Sequence, residues 1–151
     1  VMDHDIQNYF RNTHRLEIGD RTAEQIKISV GSAMRSRSKN ILVKGRDLVS
    51  GIPKTIDVRS DEIRQALKDS VKRILEVVKD ALESTPPELS SDIIDRGILV
   101  AGGGAQLRGL DQVIREKTNV PCNVVEEPHL AIVKGCGKII EDLEKYKHVL
   151  I

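Results

Sequence analysis

Gly97-Ile98-Leu99-Val100-Ala101-Gly102-Gly103-Gly104-Ala105-Gln106-Leu107-Arg108-Gly109-Leu110 is the stretch on which the fold turns. Gly97 to Ala101 is a short continuous apolar run, the pattern of a strand buried on both faces. Leu107, Leu110, Val113 and Ile114 then mark a helix, which Asn119 and Pro121 close, and Cys122 to Val125 forms a second buried strand. Strand, helix, strand with apolar strands is an α/β arrangement. The three glycines at the carboxyl end of the first strand remove every Cβ from the turn. A flat ligand could lie directly on that backbone, with the next helix offering free N–H groups and its positive dipole end. Open α/β sheets bind ligands at this end of their strands. A tight turn with nothing bound fits the same residues. The motif is neither a Walker A loop, which ends in Gly-Lys-Ser/Thr, nor a GxGxxG fingerprint.

Working outward, Leu130 to Val133 and Ile139 to Leu143 read as helical segments around a Gly135-Cys136-Gly137 break. Upstream, Ile63, Leu67, Val71, Ile74, Leu75, Val78 and Leu82 recur at helical spacing. Ser60 is placed to cap that helix, Asp61 and Glu62 suit its first turn, and Pro86-Pro87 ends it. A short helical turn is expected over Glu88 to Ile94. Ile41 to Arg59 reads as a β-hairpin around Ser50-Gly51, with Pro53 confining its second strand to an edge or bulge. Ser36 to Asn40 is a polar, basic loop. Thr22-Ala23-Glu24-Gln25 fits a capping box, predicting a helix over Ala23 to Val30 that stops at Gly31. Met2, Ile6, Tyr9 and Phe10 share one helical face at the start. This predicts an α/β subdomain over 1–17 and 60–151, interrupted by a smaller α+β insertion over 18–59.

Composition narrows the function. The 151 residues carry 24 Lys plus Arg against 23 Asp plus Glu, a net charge of +1, which argues against a strong nucleic-acid or membrane field. With no Trp, two Tyr and one Phe, the chain has few stacking platforms for single strands, and no nucleic-acid partner is expected. No apolar run is long enough to cross a bilayer, and the opening residues lack a signal-peptide pattern. Cys122 and Cys136 stand apart without a CxxC partner, which argues against a disulfide scaffold or zinc ribbon and for a reducing cytoplasm. His4, His14, His129 and His148 show no HExxH spacing, and no metal ligands are assigned.

Three further features could carry chemistry. Glu24 and Lys27 lie three apart on one helical face; they could hold a ribose or flank a purine, or form an ordinary exposed ion pair. Arg35, Arg37 and Lys39 form a basic loop, either solvated or facing a polyphosphate or acidic partner. Asp92 and Asp95 lie at the amino end of the first strand, opposite the glycines, and read as structural. There is no Gly-x-Ser-x-Gly elbow, no Cys beside a plausible His, and no catalytic residue is assigned. Cys136 between two glycines reads as a small residue in a tight junction.

Ile18-Gly19-Asp20-Arg21-Thr22-Ala23-Glu24-Gln25-Ile26-Lys27 and Gly45-Arg46-Asp47-Leu48-Val49-Ser50-Gly51-Ile52-Pro53-Lys54-Thr55-Ile56 resemble second-domain signatures of MreB-type bacterial actins. So do Thr85-Pro86-Pro87-Glu88-Leu89, Asp95-Arg96-Gly97-Ile98 and Gly102-Gly103-Gly104-Ala105 with Leu107-Arg108-Gly109-Leu110. The resemblance runs in order over essentially the whole chain. Departures are Ala101 and Cys136, where the family usually has Thr, and Gln106, where an apolar residue is common.

The resemblance implies an incomplete actin-like (ribonuclease H-like) second domain. It implies a cytoplasmic, ATP-dependent filament former at the inner face of the cell membrane, organising cell-wall synthesis to maintain rod shape. Gly102, Gly103, Gly104, Ala105 and Gln106 would match the adenosine motif; Glu24, Gln25, Ile26 and Lys27 would match the helix covering adenine and ribose. The two sets would be opposite lips of one cleft. The cofactor would be ATP, with Mg²⁺ in the full-length parent. Partners would be further copies of the protein and membrane proteins of cell-shape and cell-wall synthesis, with membrane contact through the parent's first domain. That domain, and a hairpin opening the second, would lie outside this chain, which should therefore not hydrolyse ATP by itself and should not be a comfortable monomer. Another actin-like filament, magnetosome-organising or plasmid-segregating, is an alternative, and a sugar-kinase or chaperone-type ATPase a more distant one.

Overall fold

A computed structural model describes residues 1–37 and 39–149; Ser38 of the expected basic loop, and Leu150 and Ile151 at the end of the expected 60–151 segment, lie outside the described residues. Helix α1 (Met2–His14) opens the chain because Ile6 and Phe10, one turn apart, are both fully buried. Arg15 ends it in the left-handed region at φ 52°. Strand β1 (Leu16–Glu17) leads into α2 (Asp20–Val30), then β2 (Asn40–Asp47) and β3 (Pro53–Arg59) form an antiparallel hairpin. The sheet order is β1-β2-β3, with Leu16 opposite Asp47 and Asn40 opposite Arg59. Pro53 is the first residue of the edge strand β3, where its missing N–H costs no ladder bond. β1 precedes the expected insertion yet pairs with β2.

α3 (Ser60–Ala66) and α4 (Lys68–Glu83) follow, then α5 (Pro87–Arg96), β4 (Ile98–Val100), a 3₁₀ turn (Gly103–Gln106), α6 (Leu110–Thr118), β5 (Cys122–Val124), α7 (Ala131–Glu141) and a second 3₁₀ turn (Lys147–Val149). β4 and β5 pair in parallel, Ile98 opposite Cys122 and Val100 opposite Val124. One apolar core unites Ile6, Phe10, Leu16, Val43, Ile63 and Leu67 with Ile114 and Cys122. Among the described residues, no helix is long and apolar enough to cross a membrane.

The structure corrects several sequence expectations. α2 starts three residues before Ala23 without using Thr22 as a cap: Gly19, in extended conformation, turns the chain, and its carbonyl accepts the Ala23 N–H at 3.0 Å. Ser60 does not cap α3; Arg59 holds that position and its N–H donates to Glu62 Oε1 at 3.1 Å. The expected single helix from Ile63 to Leu82 divides at Leu67, although the Leu67 N–H still reaches the Ile63 carbonyl. Helix α7 runs unbroken through Gly135-Cys136-Gly137, since glycine costs about 1 kcal/mol of helix propensity without preventing the backbone bonds. The strands expected to be buried on both faces are not: Leu99 is 69% and Val124 38% exposed, because α6 packs beside β5 on one side only.

Candidate functional site

The end of α2 and the glycine turn are joined by one residue. Ala33 N–H donates to the Arg108 carbonyl at 2.8 Å, the Ser32 hydroxyl lies between that oxygen at 3.2 Å and the Met34 carbonyl at 2.9 Å, and Arg108 Nη2 donates to the Ser29 carbonyl at 2.8 Å. Gly31 lets the two segments close up: a Cβ there would sit 2.3 Å from the Lys27 carbonyl oxygen and 3.2 Å from Leu107 Cδ1. Gly109, at φ +74°, lies against Met34 in the same way. Leu107 is buried in the core, so the turn is anchored from below.

Between these elements lies a cleft of about 120 Å³. Its walls are Lys27, Ile28 and Gly31 from α2 and its cap, Gly103, Gly104, Gln106, Leu107 and Arg108 from the turn, and Met2 from α1. Of the residues expected from the sequence, the structure thus brings together Lys27, Gly103, Gly104 and Gln106. Glu24 and Gln25 are exposed away from the cleft lining, Ile26 and Ala105 are buried in the interior, and the Gly102 N–H is turned to the Pro128 carbonyl at 2.7 Å. Met2, Ile28, Gly31, Leu107 and Arg108 are lining residues the sequence reading did not assign. In the sequence, Met2, Gly31, Leu107 and Arg108 stand out for helical or motif reasons only, and Ile28 is an apolar residue that the structure leaves 68% exposed on α2.

Lys27 is held by α1, not by Glu24. Its Nζ donates to Asp3 Oδ2 at 3.0 Å and lies 2.8 Å from Oδ1, which is shielded from solvent and accepts no hydrogen bond. The Gln106 side chain meets His129 Nδ1 at 3.2 Å. The glycines enter a 3₁₀ turn before α6 begins at Leu110, so α6 does not present its amino end directly to the glycines, as the sequence suggested. The turn itself supplies the donors: its first N–H groups, Gly103 and Gly104, have no partner within it. A Cβ at Gly103 or Gly104 would meet nothing within 4 Å, so neither glycine is required by packing. The cleft combines a bare backbone floor, aliphatic walls from Met2, Ile28 and Leu107, and two cations at its margin. That is a surface for a flat ring bearing polar and anionic groups. Complete small-molecule sites run to about 300–1,000 Å³, and this cleft is smaller than that. Among the described residues, no carboxylate lines it.

The family model of the MreB/Mbl protein matches residues 1–148. The chain is 46% identical over 144 residues to the cell shape-determining protein Mbl of Bacillus subtilis, covering 95% of this chain and 43% of that protein. It is 41% identical over 145 residues to the cell shape-determining protein MreB of Escherichia coli, covering 95% and 42% respectively. The structure of MreB5 of Spiroplasma citri bound to ADP superposes with a TM-score of 0.90 at 33% identity, over 97% of this chain and 45% of that one. The chain therefore spans less than half the length of these relatives.

Proposed function

The chain belongs to the MreB/Mbl family, and on that premise we propose that it supplies one wall of the adenine-nucleotide cleft in an actin-like, filament-forming protein that determines cell shape. The observation that carries this is the joining of α2 to the glycine turn through Arg108, which sets two lips over one cleft. ADP bound to the related MreB5 supports the choice of ligand.

In this reading the adenine lies on the Gly103-Gly104 backbone between Ile28, Met2 and Leu107. Lys27, held at the cleft margin by its ion pair with Asp3, adds positive charge toward the phosphates. ATP is the nucleotide. Mg²⁺ would ride on its phosphates; no carboxylate of this cleft fits it, so no step is assigned to the metal here. The larger subdomain of this wall is drawn from residues 1–17 and 60–151 and the smaller, which carries Lys27, from residues 18–59, with β1 (Leu16–Glu17) pairing across that boundary. Self-association into filaments, placement in the cytoplasm under the membrane, and contact with membrane proteins of cell-wall synthesis belong to the same proposal.

The test is sedimentation of the full chain with ATP, with ADP and without nucleotide, alongside Gly103→Asp. Pelleting that depends on nucleotide and loses that dependence in the variant is the expected result. Pelleting indifferent to nucleotide would overturn the reading.

A further inference from the structure

A second cleft, of about 210 Å³, lies on the other side of Arg108, lined by Val30, Ser36, Arg37, Lys39, Ser60 and Arg108. We propose that it is an anion site for a phosphoryl group, separate from the nucleotide cleft. The segment that carries its cations is tied at both ends. At one end Ala33 N–H bonds the Arg108 carbonyl at 2.8 Å. At the other, Lys39 N–H donates to Ser60 Oγ at 3.0 Å and Ser60 N–H donates to the Lys39 carbonyl at 2.8 Å. This explains why Ser60 is not a helix cap: its hydroxyl secures the basic loop instead. Ser60 lines the cleft and is only 7% exposed.

Arg37, Lys39 and Arg108 bring three positive charges to one cavity in a chain whose net charge is only +1. Among the described residues, none of the ion pairs involves Arg35, Arg37, Lys39 or Arg108. Arg108 is oriented by a neutral backbone carbonyl, which leaves its charge uncompensated. The lining contains no carboxylate that would repel an anion. Forked guanidinium donors, an ammonium and hydroxyls are the groups that recognise tetrahedral phosphate oxygens. The phosphoryl group could come from a soluble polyphosphate or from a lipid headgroup, and both present the same oxygens.

Titration of the full chain with inorganic pyrophosphate, followed by amide chemical shifts, tests the site. The expected result is saturable one-to-one binding that moves the Lys39 and Ser60 amides, weakens as salt rises, and falls about tenfold or more in Arg37→Ser/Lys39→Ser. Lys27→Ala, in the other cleft, should leave that affinity unchanged, which separates this site from the nucleotide reading. Cosedimentation with phosphatidylglycerol vesicles in a phosphatidylcholine background identifies the source. Pelleting that the double variant loses assigns a headgroup, and pyrophosphate binding without pelleting assigns a soluble phosphate. Non-saturable shifts, or unchanged binding of both probes in the double variant, would overturn the proposal. Both substituted side chains are exposed, so the variant keeps the fold.

Discussion

Replacing Gly103 by alanine should strengthen the fold and weaken ligand binding at once. The backbone at Gly103 is not in the left-handed region, and a Cβ there meets no atom within 4 Å. A Gly→Ala change at such a position removes freedom from the unfolded chain and stabilises by about 0.4–1 kcal/mol. For a chain of this size that is a rise in Tm of roughly 1–4 °C. The same methyl group stands on the cleft floor. A gap of only about 0.5–1 Å forfeits a quarter to a half of each dispersion contact, and a methyl group lifts a flat ring by more than that. The expected loss is therefore about tenfold or more in adenine-nucleotide affinity, on the order of 1.4 kcal/mol. Thermal unfolding and competition against a fluorescent adenine nucleotide read the two effects separately. Gly97→Ala is the control of opposite kind: Gly97 sits at φ +77° and its Cβ would lie 2.6 Å from the Pro121 carbonyl oxygen, so it should lose about 1–3 kcal/mol of stability. If Gly103→Ala destabilised the chain, or left nucleotide affinity untouched, the claim that this glycine serves the site and not the fold would be wrong.

Ile63→Ala removes a side chain with no exposed surface from the junction of α1, α2 and the hairpin and should cost about 2–5 kcal/mol, read as a lower urea midpoint. The Asp47 carboxylate accepts the Ser50 and Val49 N–H groups at 2.9 and 2.8 Å and pairs with Lys54 at 2.9 Å, which hold its pKa far below the usual carboxylate range. A depressed folded pKa contributes stability that is complete above the unfolded value of about 3.9 and is lost as pH falls toward the folded one; urea midpoints measured downward from about pH 4 should fall less steeply in Asp47→Asn. Cys136 is exposed, whereas Cys122 is buried with its thiol pKa pushed up, chiefly by burial; a thiol reagent at neutral pH should modify Cys136 rapidly and reach Cys122 only on unfolding, and equal rates would contradict the packing of β5.

The hairpin, α2 and the glycine turn were legible because each is written in local residues: Ser50-Gly51 between alternating strands, a short amphipathic run ending at Gly31, and an apolar strand running into three glycines. What joins them was not. The Ser32–Arg108 contact spans 76 residues and the Lys27–Asp3 pair spans 24, so no window along the chain contains either. The Glu24–Lys27 spacing suggested a pair, but α1 passes close enough for Asp3 to claim the lysine. Ser60 showed the same limit: a serine before an acidic first turn reads as a cap, yet the approach of Lys39 gives its hydroxyl another role. Burial of β4 was overestimated because an apolar run records what a strand can tolerate, and among the described residues nothing covers Leu99, which is 69% exposed.

The central claim is that the cleft between α2 and the glycine turn takes an adenine nucleotide. Titrating isotopically labelled protein with ADP, and following the backbone amides, addresses it directly. The account predicts saturable shifts concentrated at Lys27, Ile28, Gly103 and Gly104, with the Lys39 and Ser60 amides of the second cleft unmoved. Shifts confined to the basic cleft, or none at Gly103 and Gly104 at saturating ADP, would contradict it.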